Sequence, residues 1–344
     1  MPPVAVHFNG GVNLPDTPTV LRALVERVPH GVRRLPDGEP GERAGWIGYQ
    51  VPRLMATPGL ERVELERSGD GPYSFGPAVR LPDTTDADTI DWPDLGYAEE
   101  YGKSFETFDR LQQDGTIPAD VRFQLQYPTP LASVGVTIIP EHLPDVAAAY
   151  EGALFADLGK VLAALPHDRI AIQWDVAVEF SLLEGAYGPA LPLAAIAPAL
   201  VRCIEQVPAD VPVGLHLCYG DYGHEHFKQP ESLRMQVDLV NALKAAAARP
   251  VDFVSFTVPQ ARDDAEYFAP LNDLQAGPET ELYFALVPYH PGDQPEGTTA
   301  AQKVNIDAAL GSQDWGICTE CGMGRVAADD VPALLDLHRE ILTT

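Results

Sequence analysis

Short apolar runs alternate with longer amphipathic stretches along most of the chain. The apolar runs predict strands over 4–8, 32–35, 122–127, 170–175, 213–218, 251–256, 282–287 and 316–318. Helical periodicity fills the intervals at 17–28, 97–113, 144–164, 193–206, 232–247 and 300–310, and a further helix at 331–342 follows the eighth strand. Strand–helix alternation of this kind marks an α/β protein built on a parallel sheet. Eight such units predict a single (β/α)8 TIM barrel, one domain over residues 1–344. Segment 55–96, rich in Pro, Asp and Gly, breaks the rhythm and reads as an insertion, with a hairpin of its own over 63–66 and 73–81. The chain holds no phosphate-binding Gly-rich motif and no G-x-S-x-G elbow.

A barrel of this type gathers its chemistry in the loops after the strands. Asn9 and Asn13 follow the first strand, and Asp37, Glu39, Glu42 and Arg43 follow the second. Tyr127 and Asp175 end the third and fourth, and His216 and Cys218 end the fifth. Thr257, then His290, then Glu320, Cys321 and Arg325 follow the last three. His216 and Cys218 stand two apart, so a strand points both to one side. An imidazole nitrogen and a thiolate sulfur aimed at one point are donors that zinc prefers. His224 and His226, in the loop beyond, are further candidate ligands or substrate contacts.

The chain has 344 residues, of which 45% are hydrophobic, enough for a large core. Lys and Arg number 23 against 50 Asp and Glu, a formal charge of −27. Such a surface repels phosphate backbones and anionic membranes, which argues against nucleic-acid or membrane partners. No apolar run reaches the roughly 18–20 residues of a membrane helix, and the start, MPPVAVHFNGG, lacks the pattern of a secretion signal. A cytoplasmic enzyme is therefore expected. Four cysteines are too few and too scattered for a disulfide scaffold. Cys203 reads as helix packing, whereas Cys218, Cys318 and Cys321 are candidates for chemistry.

The ordered motifs resemble the catalytic barrel of cobalamin-independent methionine synthase and its relatives, including core-only methyltransferases and epoxyalkane–coenzyme M transferases. His216–Cys218 resembles the family's zinc pair, and Cys321 in Glu320–Gly322 its third, cysteine ligand. Asp37–Arg43 (DGEPGER) resembles H-G-E-P-E-R, which implies that Glu39 contacts substrate. Ile172–Asp175 (IQWD) resembles I-Q-I-D, with Asp175 as a second substrate contact. Pro288–Pro291 (PYHP) resembles D-I-H-S-P, which implies a proton-transfer role for His290. The resemblance thus implies Zn²⁺ as cofactor, and a thiol and a methyl or alkyl donor as small-molecule substrates. Asn13, Tyr127 and Thr257 complete the expected substrate-facing set.

This sequence also departs from the pattern. Thr257 stands where the family supplies a Glu ligand, and the family's G-S-F-P reads GGVNLP here, over Gly10–Pro15. Neutral Thr is a poor zinc ligand. Either three protein ligands leave an open position, or Glu320, Asp221, His224 or Cys318 fills it, or the metal is lost. An open position holding water, whose pKa zinc lowers to about 7, makes a hydrolase or lyase from the same residues. A metal-free small-molecule-binding barrel is the third reading. Each residue also has a plain structural alternative: buried His and Cys pack cores, Glu39 suits a turn, and His290 suits a surface loop.

Overall fold

The structure, a computed structural model, describes residues 3–63 and 79–344. Its main sheet has eight parallel strands: β1 (Ala5–Val6), β2 (Arg34–Pro36), β3 (Arg122–Pro128), β4 (Ile170–Val176), β5 (Val213–Leu217), β6 (Phe253–Phe256), β7 (Glu281–Ala285) and β8 (Trp315–Cys318). The hydrogen-bonded order runs β1, β8, β7, β6, β5, β4, β3, β2. A single parallel bridge, Val6 to Val32, joins the two ends and closes the ring. The fold is the expected (β/α)8 barrel. Helices such as Thr17–Arg27, Tyr97–Gln113, Leu143–Ala164 and Arg234–Ala246 pack outside it, and several begin at a sequence-coded cap. Asp16 Oδ1, for example, accepts the Thr19 amide at 2.9 Å at the start of the first.

Parallel strands are covered on both sides, and all seven residues of β4 are buried. Apolar side chains on the outer face meet the helices. Trp174 contacts Phe155, and Tyr127 packs on Tyr97 and Tyr101. The inner face is unusually polar and forms three levels. At the bottom, Arg34 lies 3.9 Å over the Phe253 ring, pairs with Glu281 and donates to Tyr283 Oη at 2.9 Å. In the middle, Gln173 Oε1 meets His7 Nε2 at 2.8 Å and accepts from Gln124 Nε2 at 3.3 Å. Burial, with Arg34 nearby, holds the His7 pKa down at about 3, so its ring is neutral. The top level, at the C-terminal strand ends, holds Asn9, Asp175, His216 and Ser255.

Segment 55–96 leaves the barrel rhythm as expected. Glu61–Arg62 and Val79–Arg80 pair there as an antiparallel ladder. The expected hairpin strands at 63–66 and 73–81 fall largely outside the described residues. Among the described residues no helix is long and apolar enough to cross a membrane.

Candidate metal centre and its cavity

β5 carries His216 and delivers Cys218 just past its end, while the turn after β8 delivers Cys321. Ligand atoms of these three buried residues lie within 4.8 Å of one another, and they are the group among the described residues that can hold a metal ion. The two sulfurs approach to 2.7 Å. Tyr289 Oη accepts the Cys321 amide at 2.8 Å and donates to Gly322 O at 3.1 Å, which pins the turn. The Gly220 amide points at Cys218 Sγ from 3.2 Å.

The imidazole of His216 has a defined orientation. Asn9 Nδ2 donates to Thr319 O at 2.7 Å, so its Oδ1 is free to accept, and Ser255 Oγ donates to that oxygen at 2.8 Å. Ser255 Oγ therefore accepts from His216 Nδ1, 3.1 Å away. Nδ1 carries the proton, and Nε2 is the nitrogen left for the sulfurs. Metal-binding histidines are commonly oriented by such a partner on the far nitrogen. The hydrogen bond from Cys321 outweighs burial and, with His216, holds the Cys218 thiol well below its ordinary range. The Cys218 contact, together with burial, pushes the Cys321 thiol up. Burial alone lowers the His216 pKa, but Cys218 and Asp175 outweigh it and the net shift is upward. The Cys321 contact and the imidazole thus favour the thiolate form of Cys218 over that of Cys321. This donor set fits zinc: one imidazole with a fixed tautomer and two thiols, an arrangement with room for one more ligand.

The three donors border a cavity of about 330 Å³, whose wall also includes Glu39, Trp46, Asp175, Asp221 and Arg325. Glu39 is half-buried and has a left-handed backbone, φ 54°, after Gly38 at φ 83°. Burial first, then the charge of Asp175, raises its pKa to about 8. Asp175 is buried, and desolvation raises its pKa to about 6. Gln173 Nε2 donates to its Oδ1 at 2.8 Å and the Trp46 indole to its Oδ2 at 3.0 Å. Asp221 and Arg325 form an ion pair, and the guanidinium stands 4.3 Å over the Tyr222 ring.

His216, Cys218, Cys321, Glu39 and Asp175 are thus brought together; the other expected residues are placed elsewhere. Tyr127 faces the helices, its hydroxyl 3.5 Å from Asp157, because strand alternation turns Gln124 and Gln126 inward instead. Asn13 is exposed and donates to Val326 O at 2.8 Å. Thr257 is buried with its hydroxyl donating to Leu217 O at 2.7 Å, away from the cavity wall. His290 is exposed, its ring centroid 4.8 Å from that of His224, outside the wall. Nor do the candidates for a fourth ligand join the cluster. Glu320 pairs with His226 and accepts the Gln260 amide at 3.0 Å, Asp221 is held by Arg325, and Cys318 is buried below in β8.

Trp46, Ser255 and the Asn9 amide were not assigned roles from the sequence. Trp46 lies in an irregular turn with φ 51° and no periodicity to flag it. Ser255 had a signal, since it is a polar residue near the C-terminal end of an apolar strand, on the face opposite Val254 and Phe256.

No family model and no curated protein matches the chain. Solved structures do. A B12-independent methionine synthase from Shewanella sp. W3-18-1, in complex with selenomethionine, aligns with a TM-score of 0.66 at 11% identity, over 100% of this chain and 97% of the other. A protein from Listeria monocytogenes assigned as a vitamin-B12-independent methionine synthase aligns with a TM-score of 0.55 at 14% identity, over 94% and 86%. At such identities the likeness is one of fold: this chain is a barrel of the shape found in B12-independent methionine synthases.

Proposed function

We propose that the protein is a zinc-dependent transferase that activates a thiol and methylates or alkylates it. One observation carries the reading: His216, Cys218 and Cys321, from two distant strand ends, converge within 4.8 Å on the wall of one cavity. The shared fold with B12-independent methionine synthases supports it. Zinc bound there supplies a Lewis acid that keeps a substrate thiol deprotonated and nucleophilic at neutral pH. Cys218, Cys321 and His216 Nε2 hold the metal, with Ser255 and Asn9 orienting the imidazole. Glu39 and Asp175 are the carboxyl groups facing the substrate. Glu39, protonated near neutral pH, donates a hydrogen bond and handles a proton, a role the resemblance gave to His290. The acidic surface fits a small-molecule enzyme with no nucleic-acid partner.

The test is elemental analysis of protein purified without added metal, with Cys218→Ser and Cys321→Ser alongside. About one zinc per chain, falling sharply in each variant, is the expected result. Folded protein without metal, or metal indifferent to both substitutions, overturns the reading. Thr257 in place of a fourth ligand favours a second reading, a zinc hydrolase or lyase with water in the open position. Turnover of an ester, ether or amide without any thiol distinguishes it.

A further inference from the structure

The wall of this cavity bears on the kind of thiol it takes. Asp175, which the resemblance makes a substrate contact, already accepts a hydrogen bond on each oxygen, one from Gln173 and one from Trp46. Trp46 is more than a hydrogen-bond donor. Its half-buried ring packs against the cluster of Ala177, Cys218 and Cys321, beside the donor sulfurs. Its backbone is in a left-handed conformation that costs an L-residue energy, and such strain persists where surrounding contacts impose it. Arg325, the guanidinium of the wall, is committed to Asp221 and stacked on Tyr222. Much of the remaining wall is apolar, with Ile138 and Val178, and with Tyr187 and Phe227 whose ring centroids stand 6.4 Å apart.

A zwitterionic amino acid needs an anion for its ammonium and a cation for its carboxylate, and burying either without a partner is costly. Here the cation and one of the two central carboxylates are already engaged. Resting on the thiol-transferase reading above, we infer that the acceptor is a thiol with an apolar, uncharged body. Trp46 forms the specificity wall, and Glu39 meets at most one polar group of the substrate. The chain thus has the His and two Cys donors that the resemblance implies but presents a largely apolar pocket beside them.

Calorimetric titration of the full chain tests this with two matched pairs. The thiols are 2-phenylethanethiol and L-homocysteine; their oxygen counterparts, 2-phenylethanol and L-homoserine, form no thiolate. The aromatic member of each pair is expected to bind at least tenfold tighter. Trp46→Phe keeps an apolar ring but frees Asp175 Oδ2, and should narrow that preference at least threefold. Equal or tighter binding of the zwitterionic member by the unsubstituted protein overturns the inference. Zinc content of the same samples separates the two failures. Zinc-free protein that still prefers both aromatic ligands ends the transferase reading and leaves the apolar pocket standing. Zinc-loaded protein that prefers homocysteine does the reverse.

Discussion

Ser255 Oγ lies 3.1 Å from His216 Nδ1 and donates its own hydrogen bond to Asn9 Oδ1, 2.8 Å away. The serine therefore sets which imidazole nitrogen faces the two thiols, without touching them. Ser255→Ala should weaken zinc binding about 10–100-fold, as loss of an orienting partner does elsewhere. Competition against a chromophoric chelator measures it. An unchanged affinity would mean that the ring is oriented by packing alone.

Glu39 makes stability depend on pH. Its pKa rises from 4.5 in the unfolded chain to about 8 in the fold, so between those values the folded state binds the extra proton. The contribution is fully present below about 4.5 and is lost as pH rises through about 8. Glu39→Gln, which keeps the neutral shape, should flatten that decline. Melting temperature followed from pH 5 to 9 in both proteins checks it. Parallel curves would show that Glu39 is ionised throughout.

The opposite end of the barrel should answer differently. Arg34 is buried between Phe253 and Glu281, at the N-terminal ends of the strands. Removing one member of a buried pair leaves the other poorly solvated, and Glu281 is partly exposed. Arg34→Ala is therefore expected to cost about 3 kcal/mol, the low end for a broken buried pair. Urea unfolding reads the loss, and zinc content should stay the same. A fall in zinc content at native stability would contradict the separation of stabilising and chemical ends.

The barrel was legible in the sequence because its signals are local. Each parallel strand is a short apolar run and each helix an amphipathic one, so even Tyr97–Gln113 and Arg122–Pro128 were readable to within a residue. The donor set was legible for a related reason: His216 and Cys218 share a strand face by spacing alone. Tyr127 illustrates the limit. Chemical interest lay in the phenol, but the alternation in Phe123-Gln124-Leu125-Gln126-Tyr127 points the glutamines inward and the rings outward. Parity is the better guide there. Trp46 and the Asp221–Arg325 pair were harder. They lie in loops, where position is decided by contacts between residues 104 or 129 apart in sequence. No local pattern encodes such a distance.

Cys218 and Cys321 meet from β5 and β8, three places apart in the sheet and 103 positions apart in sequence. That separation gives the centre a history during synthesis. A nascent chain that has emerged only through β7 presents one imidazole and one thiol, and β1 still lacks its neighbour β8. The same strand that completes the ring brings the third donor. On the zinc reading proposed above, the site for the metal would be complete only when the ring is.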